Sequence, residues 1–152
     1  MQIENLKDVL HWTFQFHQHL AECLIDCVDK NENQRAKILL SYLAEHEEKL
    51  AEVIDKFEQT EGSQALNTWC YEYLDKNPIV QHKHCDAPFA ELDTLQIMAV
   101  IIDQHQQVIE LYRYLYSRAV IPAAQELLGN LKSFEEHEVM LMSQAANRLE
   151  DI

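Results

Sequence analysis

The sequence predicts an all-α protein, a four-helix bundle of two antiparallel hairpins that a long crossover joins. Only two Gly and three Pro occur among its 152 residues, so turn signals are few. The long stretches between them are rich in Leu, Ala, Gln and Glu, which favour helices. In these stretches apolar residues recur at intervals of three and four, as on one face of a helix. A chain of this length is most simply a single domain, residues 1–152.

Turn and capping signals divide the chain into four long helices. Asn31 or Asn33 is the expected N-cap of the second helix, and Asp86 that of the third, with Pro88 near its first turn. Pro122 opens the fourth helix after a tight turn. The predicted helices cover about residues 4–29, 34–59, 89–118 and 122–150. Short turns within each half predict two antiparallel hairpins.

The crossover, residues 60–88, breaks the helical pattern. Ser63 is the expected cap of a short helix that ends near Tyr73 or Leu74. Pro78 and Pro88 bracket an irregular loop after it. A helix of about 26 residues is roughly 39 Å long, so a segment of this size is needed to return the chain along the bundle.

A carboxylate interrupts the apolar stripe of the second helix. Glu47 occupies the middle of this stripe, whose members are Ala36, Leu40, Leu43, Glu47, Leu50, Ile54 and Phe57. An ionised carboxylate in a core costs several kcal/mol unless it is paired or binds a metal. The pattern therefore predicts that other helices bring partners to Glu47.

A weak internal repeat supplies those partners. The segment 127–136 repeats the three leucines of 39–48, together with Glu47 and Glu48, at an offset of 88 positions. At the same offset His17 matches His105, and Glu47 matches Glu135. The matched ionisable residues fall on the inward helical faces together with the matched leucines.

Five ionisable residues lie mid-helix on inward stripes, where they could meet at one level of the core. They are His17, Glu47, His105, Glu135 and Glu138. Carboxylates and imidazoles are ligands of first-row transition metals, and no Lys or Arg on these stripes could neutralise three carboxylates. The sequence therefore predicts a metal site in the core that holds one or two ions of iron or manganese.

With these residues, the chain resembles the rubrerythrin-like branch of the ferritin-like superfamily over residues 10–57 and 95–150. In that family two helices each give a Glu and two each give Glu-x-x-His, around two irons that react with oxygen or peroxide. Here Glu47 and Glu135 keep two Glu positions, His17 and His105 occupy the other two, and the His positions hold Leu50 and Glu138. The resemblance implies the crossover bundle and, if the protein is an enzyme, an oxidoreductase acting on oxygen or peroxide.

Two alternatives stay open beside the metal site. Protonated His17 and His105 could pair with Glu47 and Glu135 in a metal-free buried network. The protein would then be a non-enzymatic helical interaction module whose metal site has decayed. The first helix is apolar over more than half its surface, so either the crossover or a partner subunit is expected to cover it. In the second case its aromatic residues Trp12 and Phe16 form the predicted homodimer seam.

Other residues carry weaker metal signals. His46 and His137 are interpreted as flanking residues at helix–helix contacts. His82, His84 and Cys85 form a loop cluster with the spacing of a surface metal site. Tyr112 and Tyr116 are interpreted as core aromatics. A hemerythrin-like site is excluded, because the positions four residues after His17, His46 and His105 hold Ala21, Leu50 and Ile109.

Charge and composition bound the partners. The net charge of −14 argues against nucleic acid and against an anionic membrane surface. The N-terminus has no basic, apolar leader, and the longest apolar run, near 98–102, is too short to span a bilayer. The four cysteines are expected to be free thiols in a reducing cytoplasm.

Overall fold

The structure, a computed structural model, describes residues 5–66 and 89–151. Within these ranges the chain forms four long helices, one short helix and no β-strand, which confirms the all-α prediction. The helices are α1 (Leu6–Val28), α2 (Gln34–Thr60), α3 (Ser63–Leu66), α4 (Thr94–Arg118) and α5 (Pro122–Glu150). Predictions for Tyr73, Leu74, Pro78, Asp86 and Pro88, and for the loop cluster His82, His84 and Cys85, lie outside the described residues.

Polar side chains define where α1, α2 and α4 begin, and the cap of α1 is Asn5. Asn33, rather than Asn31, caps α2, and its side chain accepts hydrogen bonds from the backbone amides of Arg35 and Ala36. Asp93 caps α4 in a reciprocal capping box with Gln96. The third long helix therefore begins at Thr94, later than the predicted 89, because Asp93 is extended and its side chain accepts from the backbone amide of Gln96.

The four long helices pack around one core of buried leucines. α1 contacts α2, α4 contacts α5, and α2 also contacts both α4 and α5. The extra apolar residues of α1 are covered within the chain, since Phe16 is only 1 % exposed. Trp12 stacks on Phe16 with ring centroids 5.5 Å apart. Phe16 thus packs in the chain's own core, and the homodimer stays a prediction.

The buried face of α4 differs from the inward stripe that the sequence predicts, which is Leu95, Met98, Ile102, His105, Ile109, Tyr112 and Tyr116. Met98, His105 and Tyr112 are buried as expected. Leu95, Ile102 and Tyr116 are exposed instead, and residues on the adjoining positions take their place: Ile97, Ile101, Val108, Leu111 and Leu115. An α4 face of this width accommodates contacts with both α2 and α5.

The cysteines differ from the expectation in part. Cys27 is a buried free thiol, but Cys23 is disulfide-bonded, so the prediction of four free thiols is wrong. Disulfides persist chiefly in oxidising compartments, and the cysteines therefore no longer support a cytoplasmic location. None of the described helices combines the length and apolarity that crossing a bilayer requires.

Candidate metal centre

Four of the five predicted site residues meet at one level of the core. We call this cluster the quartet: His17 from α1, Glu47 from α2, His105 from α4 and Glu135 from α5. Each long helix contributes one side chain because each stripe carries its ionisable residue near mid-helix. His17, Glu47 and His105 are 0 % exposed and Glu135 is 1 % exposed. The quartet is thus sealed from solvent.

Every imidazole nitrogen of the quartet faces a carboxylate oxygen. His17 Nδ1 lies 2.7 Å from Glu47 Oε2, and His17 Nε2 lies 2.8 Å from Glu135 Oε1. His105 Nδ1 lies 3.1 Å from Glu135 Oε1, and His105 Nε2 contacts Glu47 Oε1. The two rings stack with centroids 5.2 Å apart. Histidines and carboxylates therefore alternate around a closed ring.

The four contacts of this ring need more N–H donors than two neutral imidazoles supply. A neutral imidazole has one N–H and one lone pair, so two neutral rings supply two donors for four nitrogen–oxygen contacts. A lone pair facing a carboxylate oxygen is repulsive. The ring is satisfied if both histidines are protonated, which gives two positive and two negative charges. It is equally neutral if one divalent cation replaces two of those protons.

The carboxylates favour protonated histidines in the absence of a metal. Burial alone would lower the pKa of His17, but the charges of Glu135 and Glu47 outweigh it and raise that pKa to about 9. Burial would likewise lower the pKa of His105, but the carboxylates outweigh it, the charge of Glu47 above all, and raise that pKa to about 10.

The histidines act in return on the carboxylates. Burial would raise the pKa of Glu135, but the charge of His17 and the hydrogen bond from His105 lower it to about 2. The pKa of Glu47 is likewise lowered against burial, chiefly by the charges of His105 and His17. All four groups thus hold each other in their charged forms.

Two atoms at this level lack a hydrogen bond. Among the described residues, the buried side-chain polar atoms without a partner are His17 Nε2 and the Tyr112 hydroxyl oxygen. His17 Nε2 is close to Glu135 Oε1 but not in hydrogen-bonding geometry. Burial raises the pKa of Tyr112 well above its ordinary value, and the Glu135 charge adds to this, so the phenol keeps its proton.

The ligand atoms are close enough to share one ion. His17, His105 and Glu135 each offer one atom, and the three atoms lie within 4.8 Å of one another. Two imidazoles with carboxylates form a nitrogen–oxygen donor set that suits first-row transition metals. A buried group of these residues could therefore hold a metal ion.

The structure places the fifth predicted residue elsewhere. Glu138 is 1 % exposed but turns toward α2, where its Oε2 lies 2.5 Å from His46 Nδ1. Its Oε1 lies 3.3 Å from Lys49 Nζ. His46, predicted to flank the site, thus partners Glu138, whereas His137 is exposed. Neither Glu138 nor His46 belongs to the quartet.

Sequence reasoning missed two side chains at this level. Tyr112 was assigned only to the core, although its distance of seven positions from His105 places both on one α4 face. Lys49 was absent from the expected charge balance because it lies off the inward stripe of α2. Its flexible stem carries the ammonium to Glu138 from the surface.

No protein-family model, curated protein or solved structure matches this chain.

Proposed function

We propose that this protein is a ferritin-like bundle, two hairpins joined by the crossover, that binds one first-row transition-metal ion at the quartet. Iron or manganese is the proposed ion. The observation that carries the proposal is His17 Nε2, a fully buried nitrogen that faces Glu135 Oε1 at 2.8 Å without a hydrogen bond. A cation that this nitrogen and Glu135 would both ligate satisfies the nitrogen lone pair.

The charge balance supports a single divalent ion. Two neutral imidazoles, two carboxylates and one divalent cation sum to zero, so the sealed core gains no net charge. Glu138 pairs with His46 and Lys49 rather than with the quartet. The quartet's side chains are therefore the proposed ligands of one ion, and the ligand atoms of His17, His105 and Glu135 lie within 4.8 Å of one another. His17 and His105 would supply nitrogen, and Glu47 and Glu135 oxygen, one ligand from each long helix.

The proposed activity is that of an oxidoreductase acting on oxygen or peroxide. A bound iron or manganese would supply the redox chemistry. The chain's own contribution is to fix the ligands on four packed helices and to exclude bulk water. The Tyr112 phenol keeps its proton beside Glu135 and Thr13, so it is a hydrogen-bond donor inside the site.

Metal analysis of untagged protein tests the proposal. Protein expressed in iron-supplemented medium, and apoprotein reconstituted anaerobically with Fe(II) or Mn(II), should hold about one ion per chain. The double variant His105→Leu with Glu135→Leu should hold less than about a tenth of that. As a matched control, His11→Leu with Glu58→Gln alters a distant imidazole–carboxylate pair, 3.9 Å apart, and should retain the ion. Wild-type protein that holds less than about a tenth of an equivalent after reconstitution overturns the proposal.

The metal-free network is the second candidate. Its support is that all four imidazole nitrogens already face carboxylates, so protonated histidines balance the charge with no ion. In that case the protein is a helical interaction module and the quartet is structural. The same metal analysis separates the two, because the network predicts that no variant of the quartet changes the metal content.

A further inference from the structure

The quartet is buried beneath the helices that the structure describes. Its four side chains are at most 1 % exposed. An ion that reaches it must therefore pass a point where polar groups link the surface to the core, since bare apolar packing offers a cation no ligands. The location of such a link decides how the site is loaded.

One polar link of this kind lies between α2 and α5. Glu138 is the one buried carboxylate outside the quartet among residues 5–66 and 89–151. Its partners reach outward, because the side chain of His46 is 15 % exposed and that of Lys49 is 56 % exposed. The ring of Tyr42 packs against that of His46, with ring centroids 4.4 Å apart.

The same link adjoins the quartet on its inner side. Glu138 follows Glu135 by three residues on α5, so their Cβ atoms are neighbours about 5–6 Å apart on one face. On α2, His46 directly precedes Glu47. Rotation of the Glu138 side chain could therefore carry a bound cation from the His46 edge to the Glu135 carboxylate.

We propose that Glu138, held by His46 and Lys49, is the entry residue through which a divalent cation reaches the quartet. This inference rests on the proposed metal-binding function. The Glu138 carboxylate offers the entering cation its first buried ligand. In the resting protein Lys49 Nζ lies 3.3 Å from Glu138 Oε1, and the ammonium must move away before the cation binds there. Glu138 is a transfer residue and does not ligate the ion at equilibrium.

Opposite charges at the entrance give opposite kinetic effects. Replacing Glu138 by Gln removes the attraction and should slow uptake, whereas replacing Lys49 by Gln removes a competing charge and should accelerate it. Both substitutions nearly preserve side-chain size, and Lys49 is more than half exposed, so its packing contribution is small. A purely structural pair would not produce changes of opposite sign.

Stopped-flow uptake of Co(II), followed by its visible absorption, measures the rate, and the final amplitude gives the stoichiometry. Relative to wild type, we expect Glu138→Gln to slow uptake and Lys49→Gln to accelerate it, each by about threefold to tenfold. The final stoichiometry should be the same in all three proteins. The matched controls Glu136→Gln and Lys132→Gln make identical charge changes in an exposed α5 pair and should leave the rate unchanged.

Each other outcome overturns the inference. If both entrance variants accelerate uptake and lower the unfolding temperature, ions enter by general opening of the bundle. If neither changes the rate, or the controls change it equally, Glu138 has no specific role although the quartet still binds metal. Wild-type protein that takes up no Co(II), Fe(II) or Mn(II) overturns the inference together with the proposed function.

Discussion

His17 Nδ1 lies 2.7 Å from Glu47 Oε2, and both side chains are completely buried. The two residues are 30 positions apart, and the same separation relates His105 to Glu135, whose contact is 3.1 Å. The internal repeat predicts this second pair, because it matches His17 to His105 and Glu47 to Glu135. Each half of the chain thus delivers one imidazole and one carboxylate, and the halves complete each other's charge balance.

Metal uptake should release protons. In the metal-free protein at pH 7 both histidines are protonated, because their pKa values are raised to about 9 and about 10. A metal ligand needs a free lone pair on each ring, so binding one divalent ion expels about two protons. Calorimetric titration of apoprotein with Mn(II) in buffers of different ionisation enthalpy measures this number. A value near zero would show that the ion binds elsewhere.

The stability of the metal-free protein should fall on the alkaline side. His17 and His105 have pKa values raised above the ordinary 6.5, so their stabilisation is complete below about pH 6.5. It is lost as the pH rises through about 9 to 10. Urea unfolding in the presence of EDTA from pH 6 to pH 10 measures the loss. The double variant His105→Leu with Glu135→Leu retains one imidazole and should show about half the slope.

Acid weakens the same cluster for the complementary reason. The pKa of Glu135 is lowered from 4.5 to about 2, so its stabilisation is present above pH 4.5 and is lost as the pH falls toward 2. The metal-free protein should therefore be most stable between about pH 4.5 and 6.5. A free energy of unfolding that is flat from pH 6.5 to pH 10 would contradict the charged form of the quartet.

The sequence predicts the quartet from two facts together: the helical periodicity of the apolar residues and the free-energy cost of burying a carboxylate. Glu47 interrupts an apolar stripe, and a lone buried carboxylate is too costly to leave without partners. The repeat then points to His105 and Glu135. Glu138 shares the inward stripe of α5 but turns to His46, a choice that depends on side-chain rotation and on Lys49 reaching across. The spacing of residues along a helix specifies neither the rotation of the Glu138 side chain nor the reach of Lys49.

The width of a buried face is equally hard to read from spacing. A single stripe on α4 includes Leu95 and Ile102, which are exposed, and omits Ile101, which is buried. One stripe describes a helix with one neighbour, whereas α4 packs against α2 and α5 at once. The predicted start of α4 at residue 89 is also wrong, because Asp93 forms a capping box with Gln96 and the helix begins directly after it.

Two asparagines in the α1–α2 turn should differ in importance. Asn31 is 3 % exposed, and its Nδ2 donates hydrogen bonds to the backbone oxygens of Phe89 and Leu92 at 2.8 and 3.0 Å. Asn31→Ala leaves those acceptors unsatisfied and should cost about 2–3 kcal/mol. Asn33→Ala removes only the N-cap of α2 and should cost about 1 kcal/mol. Equal losses in urea unfolding would contradict this ranking.

Removing one member of the quartet should destabilise the metal-free protein more than removing two. Glu47→Leu leaves two imidazoles with a single carboxylate in a sealed core and should cost about 3–5 kcal/mol. His105→Leu with Glu135→Leu removes one positive and one negative group, and the His17–Glu47 pair stays neutral. That double variant should therefore lose less stability than Glu47→Leu. Urea unfolding of both variants and of the single variants His105→Leu and Glu135→Leu measures the coupling. Losses that simply add would mean that the four charges do not stabilise one another.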